Sequence, residues 1–84
     1  MSDSQENPAL TYHESWDAGD LGCGELVLPL RFKLKAMQPG QVIRVRATDP
    51  GAPTDLPAWC RMTGDTLVHH DATHHYYFIR RKAI

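Results

Sequence analysis

Apolar and polar positions alternate with two different periods along this chain, and glycine, proline and aspartate mark where one period gives way to the other. Residues 10–16, Leu-Thr-Tyr-His-Glu-Ser-Trp, are rich in β-formers and alternate weakly, so a first strand is expected there, ending at the turn cluster Asp17, Ala18, Gly19, Asp20. Over residues 27–37 the period lengthens. Val27, Leu30, Leu34 and Met37 recur at helical spacing, with Arg31, Lys33 and Lys35 mainly on other sides, and Pro39-Gly40 ends the segment. Pro29 is harmless only in a first turn, so the helix either begins near Leu28 or starts earlier with an irregular turn between Cys23 and Pro29; the early start is favoured. Residues 41–48 return to period two, with Ile43, Val45 and Ala47 as the core-facing set. After the turn Asp49-Pro50-Gly51, Thr54 reads as a helix N-cap, Asp55 as a first-turn acid and Pro57 as position N3. Leu56, Trp59, Cys60 and Thr63 form that helix's inward stripe, and Gly64 closes it. Residues 66–70 and 74–80 are expected to pair as a hairpin around 71–73.

The order strand, helix, strand, helix, strand, strand predicts a two-layer α/β sandwich: βαβαββ, a four-stranded mixed sheet with two helices on one face. A chain of 84 residues buries about 60–65% of its unfolded surface, enough for one such core. Residues 1–9 read as a flexible leader and 10–84 as the single domain.

Composition narrows the function classes. The chain is 42% hydrophobic and 23% charged, with a formal charge of −1, which argues against a bulk-basic nucleic-acid binder and against a disordered acidic tail. No apolar run approaches the ~18 residues of a membrane span, and the acidic, polar opening is unlike a secretory presequence. Two cysteines are too few for a disulfide scaffold or a four-cysteine zinc site, so a reducing cytoplasm is the expected location. Charge is unevenly spread: residues 1–25 hold six acidic side chains and no lysine or arginine, and residues 26–84 hold nine basic against four acidic. Such a dipolar surface can steer a charged partner.

Cys23 carries the sharpest chemistry. It stands in Leu21-Gly22-Cys23-Gly24-Glu25-Leu26, after a strand and ahead of a helix, where unpaired N–H groups and the positive end of the helix dipole favour thiolate. Gly22 and Gly24 leave room for another protein's active site, while the Glu25 carboxylate opposes thiolate formation if it lies near. From these local features a reactive thiol and a buried structural cysteine both remain open. Cys60, on an inward stripe, reads as a small inert hydrophobe. His69-His70 and His74-His75 flank a turn, so His69 with His75, or His70 with His74, are candidate cross-strand pairs. Adjacent histidines on a strand point to opposite faces, so no metal site is expected. Tyr76 and Phe78 fall on one strand face and Tyr77 on the other, one set being core, and with so short a basic tail no direct nucleic-acid binding is expected.

The segment from Trp16 to Leu28, around Asp17 and Leu21-Gly22-Cys23-Gly24-Glu25-Leu26, resembles the signature of the TusA-like (SirA-like) sulfur carriers, in which apolar-Asp and Leu-x-Cys-Pro-x-Pro open the first helix. The resemblance continues through Met37-Gln38-Pro39-Gly40-Gln41, Thr48-Asp49-Pro50-Gly51, Asp55-Leu56-Pro57-Ala58-Trp59-Cys60, Thr63-Gly64 and the strand ending in Arg80-Arg81-Lys82. Gly24 and Leu26 replace both signature prolines, so Cys-Gly-Glu-Leu stands for Cys-Pro-x-Pro. The resemblance implies the same βαβαββ sandwich and a protein carrying sulfane sulfur as a persulfide on Cys23, with Gly22, Gly24 and Glu25 as the supporting loop. It implies a sulfur-donor protein of desulfurase or rhodanese type, an acceptor protein, no cofactor and no membrane. Arg31, Lys33 and Lys35 are the expected docking face. The missing prolines keep in view a non-catalytic interaction module of the same fold, and a redox-sensing thiol protein using Cys23 alone or with Cys60 is a third reading.

Overall fold

The computed structural model describes residues 11–83, so the expected leader over 1–9 lies outside the described residues. Its elements run β1 (Glu14–Gly19), α1 (Cys23–Ala36), β2 (Val42–Ala47), α2 (Ala52–Thr63), β3 (Thr66–Asp71) and β4 (Tyr76–Arg80). The sheet order is β1-β2-β4-β3, with β1 parallel to β2 and β4 antiparallel to both of its neighbours. The expected mixed-sheet, two-layer sandwich is what forms. Both crossovers, β1-α1-β2 and β2-α2-β3, step the same way along the sheet. A common right hand therefore puts both helices on one face.

The core lies between that face and the helices. Ile43, Val45 and Ala47 of β2 and Tyr77 and Ile79 of β4 meet Leu26, Leu30, Leu34 and Met37 from α1 and Ala52, Leu56 and Cys60 from α2. The parity expected for β2 holds at all three positions. The stripe on α1 begins one residue earlier than expected, because Leu26 is buried and Val27 is only half-buried.

Several boundaries differ from expectation, each for a local reason. β1 starts four residues later and runs through the presumed turn: Gly19 takes φ +59° and its N–H donates to Asp17 Oδ1 at 2.9 Å, making a bulge that keeps Gly19 opposite Ala47. α2 starts at Ala52, not after Thr54. The Gly51 carbonyl receives the N–H groups of Thr54 and Asp55, and Pro53 with its fixed φ sits in the first turn, so Thr54 and Pro57 fall inside the helix. Pro29 likewise lies within α1, two turns from its start. The turn between β3 and β4 spans 72–75, with His75 at φ 62°, so His74 and His75 are turn residues and not strand residues. Gly64 closes α2 as expected, at φ +90° with its N–H donated to the Cys60 carbonyl at 2.9 Å.

The helix-free face of the sheet is not merely polar. Phe78 is only 5% exposed although it lies outside the main cluster. Tyr12, His69 and Tyr76 ring it, with centroids 6.1, 5.8 and 6.4 Å away. The Arg44 guanidinium lies 4.3 Å from the Tyr12 ring and 4.2 Å from the Tyr76 ring. So Tyr77 and Phe78, on opposite faces, are both buried, and β4 is packed from two sides. Phe78→Ala is expected to lower stability by about 3 kcal/mol, a core-like loss, in urea denaturation. A loss under about 1 kcal/mol would show that this cluster is not a packed unit.

Candidate functional site: the start of the first helix

β1 hands the chain to α1 through a short, tightly bonded link. The Gly19 carbonyl accepts the Thr48 N–H at 2.8 Å, tying the end of β1 to β2, and the Ala18 carbonyl accepts the Leu21 N–H at 3.3 Å. Gly22 is the N-cap in extended conformation, and its carbonyl receives the N–H groups of both Glu25 and Leu26 at 2.9 Å. No side chain caps this end. Cys23 is therefore the first helical residue, and the N–H groups of Cys23 and Gly24 belong to the first turn, where no intrahelical acceptor exists. Such donors and the helix dipole favour an anion at this end. Glu25 sits in the same turn, exposed.

Neither flanking glycine is demanded by the fold. A Cβ built on Gly22 or Gly24 would meet nothing within 4 Å, and neither has a positive φ. What the two glycines share is open space on either side of Cys23 in the chain. Leu26, at the second missing proline, is buried in the core and anchors the turn from below.

The three predicted docking cations separate. Arg31 and Lys35, one helical turn apart, line a groove with Leu34 and Trp59. Lys33 turns to the other flank, its Nζ 5.2 Å from the Trp16 ring centroid, beside Glu14 and Gln41. Sequence reasoning missed a second apolar pair: Leu28 and Phe32 are 58% and 63% exposed on the outer side of α1. Their i, i+4 spacing, out of phase with the Leu26, Leu30, Leu34 stripe, was the available signal.

Cys60 is 2% exposed, and burial, reinforced by the nearby Asp65 carboxylate, pushes its thiol from 9.0 up to about 11. It is the inert position expected. The histidine pairs do not form: His69 faces Phe78 and His70 faces Tyr77 in the register, while His74 Nδ1 bonds Asp71 Oδ2 at 2.8 Å and holds that carboxyl below its ordinary range. Among the described residues no group of three or more His, Cys, Asp or Glu side chains gathers. No helix among them is long and apolar enough to cross a membrane.

Residues 14–81 match the family model described as Sulfurtransferase TusA. This chain belongs to the TusA family. The chain is 39% identical to the sulfur carrier protein TusA of Pseudomonas paraeruginosa over 69 residues, covering 80% of this chain and 87% of the relative. It is 36% identical to the sulfur carrier protein TusA of Pseudomonas syringae pv. syringae over 85 residues, 99% of each. A putative sulfur carrier protein of Neisseria meningitidis is 44% identical over 55 residues, 66% of this chain and 74% of the relative. The TusA match spans both the β1–α1 link and the hairpin, and its residues 14–81 take in every stretch of the resemblance except the last residue, Lys82.

Two outcomes follow for this TusA-family chain. Gly24→Ala should fold with unchanged or slightly raised stability, by up to about 1 kcal/mol, whereas Gly64→Ala should destabilise, since its φ is +90° and Lys82 Cδ lies 3.3 Å from the new Cβ. Thermal melts of both variants check this. The second concerns pH. Below pH 9 the Cys60 thiol is protonated folded and unfolded; between 9 and 11 the unfolded chain loses that proton first, so stability falls. Denaturant titrations should show the wild type losing about 2–3 kcal/mol more than Cys60→Ala across that window. Parallel curves would contradict the burial of the thiol.

Proposed function

We propose that this chain is a sulfur carrier that takes sulfane sulfur as a persulfide on Cys23 and hands it to an acceptor protein. The observation that carries the reading is the placement of Cys23 as the first residue of α1, between two glycines with open space around them, in a chain whose TusA-family match runs through that position. The relatives, named as sulfur carrier proteins, supply the class of cargo.

The chemistry needs only thiol exchange. The Cys23 thiolate attacks the outer sulfur of a persulfide on a donor protein of desulfurase or rhodanese type. The donor's S–S bond breaks, its electron pair leaves with the donor thiolate, and a new S–S bond forms on Cys23. Delivery repeats the step, with an acceptor thiolate attacking and Cys23 leaving. One sulfur atom moves at each step, and no external oxidant, reductant, metal or organic cofactor enters the balance. The first-turn N–H groups favour the anionic forms at both ends of the cycle. Gly22 and Gly24 keep the approach open, and Glu25 adds negative charge that a cationic partner would compensate. Of the docking cations expected on α1, Arg31 and Lys35 share the flank beside Trp59, and Lys33 stands on the other flank beside Trp16. A reducing cytoplasm keeps Cys23 free for exchange.

Reduced protein incubated with a persulfide-loaded desulfurase should gain one sulfur by intact mass. Cys23→Ser should gain none, and Cys60→Ser should load like wild type. Loading of Cys23→Ser, or no loading of the wild type, defeats the proposal. A partner captured without loading would support the interaction-module reading, and a thiol-sensitive crosslink under mild oxidant with no sulfur handed on would support the redox one.

A further inference from the structure

The groove on the helix side, about 450 Å³, opens between the second half of α1 and the end of α2, with walls reaching the chain that follows β4. Four cationic side chains border it: Arg31 and Lys35 from α1, and Arg81 and Lys82 beyond β4. Its one carboxylate, Asp65, keeps its charge against the four cations but has both oxygens engaged by neutral donors. Asp65 Oδ1 accepts the Lys82 backbone N–H at 2.8 Å, and Oδ2 accepts the Thr63 hydroxyl at 2.9 Å. Arg81 Nη1 donates to the Met37 carbonyl at 2.7 Å and Lys82 Nζ to the Thr63 carbonyl at 3.1 Å, so both are fixed in place without being neutralised. Arg31 and Lys35 are in no ion pair among the described residues. The floor is apolar, with half-buried Trp59 and buried Leu34, and Met62 at the rim is 78% exposed.

We infer that this groove docks an acidic, extended peptide segment of a partner protein, with one apolar side chain set down on Trp59. The volume lies within the range of about 300–1,000 Å³ that takes a side chain or a small ligand, not a folded domain. The charges are held at separate places: Arg31 and Lys35 are about 6 Å apart along the α1 axis, Arg81 is bonded to the Met37 carbonyl and Lys82 to the Thr63 carbonyl. That spacing suits carboxylates distributed along a chain better than one small oxyanion. Charge complementarity of this kind acts on encounter and specificity. The groove also revises the docking face: Arg31 and Lys35 join Arg81 and Lys82, while Lys33 points to another flank. The inference extends the docking part of the sulfur-carrier reading but has a readout independent of sulfur.

The test is fluorescence anisotropy of the reduced full chain with a fluorescein-labelled peptide of one central leucine flanked by glutamates, at about 50 mM salt, where such contacts are weakly screened. Saturable binding is expected, with at least fivefold weaker binding when glutamine replaces glutamate. Arg31→Glu with Lys35→Glu, both exposed and expected to fold, should weaken it at least tenfold; Lys33→Glu should change it less than twofold. Trp59→Leu should weaken binding without changing its salt dependence. No binding, equal loss in Lys33→Glu, or full displacement by millimolar inorganic phosphate would each overturn the inference, the last by showing a small-anion site. A chain that loads sulfur on Cys23 yet ignores the peptide sinks this inference alone. One that binds the peptide yet never loads sinks the carrier reading alone.

Discussion

The seating of α1 on the sheet is the constraint from which the rest follows. One row of side chains, Leu26, Leu30, Leu34 and Met37, joins Ile43, Val45 and Ala47 in the core and fixes both the rotation and the axial position of the helix. Each fully buried leucine contributes about 1.5–3 kcal/mol of transfer free energy, so a slip by one residue is prohibitive. With the row fixed, the first turn can stand only where β1 ends, beside the Gly19–Thr48 bond. The position of Cys23 is thus set by Leu26 in its own first turn and by Leu30 and Leu34 two and three turns along, and no side chain caps the loop before it.

That division explains what the Cys-Gly-Glu-Leu variant changes. In a Cys-Pro-x-Pro start, rigid rings hold the first turn and two N–H donors are lost. Here Leu26 holds the turn through burial, and its N–H bonds the Gly22 carbonyl. Stiffness supplied by ring geometry has been exchanged for anchoring by packing, and Pro29 sits further along inside α1. Interior proline costs about 3 kcal/mol in an isolated helix, which the buried row around it can absorb.

How much was legible depended on which physical signal placed each element. Period and parity placed β2 and the buried faces of both helices because burial dictates them directly. The Gly64 stop was legible because a left-handed cap calls for glycine. The end of β1 was misplaced because pairing with β2 overrode the turn chemistry of Asp17 and Gly19, and the start of α2 because the Gly51 carbonyl and Pro53 open the helix ahead of Thr54. Phe78 was ambiguous by alternation alone, since a sheet face without helices is not expected to bury a large ring; Tyr12, reaching in from outside the strands, closes round it with His69 and Tyr76. Of the site, Cys23 and its glycines were readable as a motif. The groove was not, since Arg31, Trp59 and Lys82 come from three distant segments and only the fold brings them together.

The sheet order has a consequence for synthesis. β3 has its one hydrogen-bonded neighbour in β4, a strand translated after it, and β4 must slot between two strands already made. On the ribosome, β1, α1 and β2 can assemble as they emerge, while β3 has nothing to pair with until β4 has followed it out of the exit tunnel. A nascent chain held with β3 outside the tunnel and β4 still within it would offer a bare strand to its neighbours.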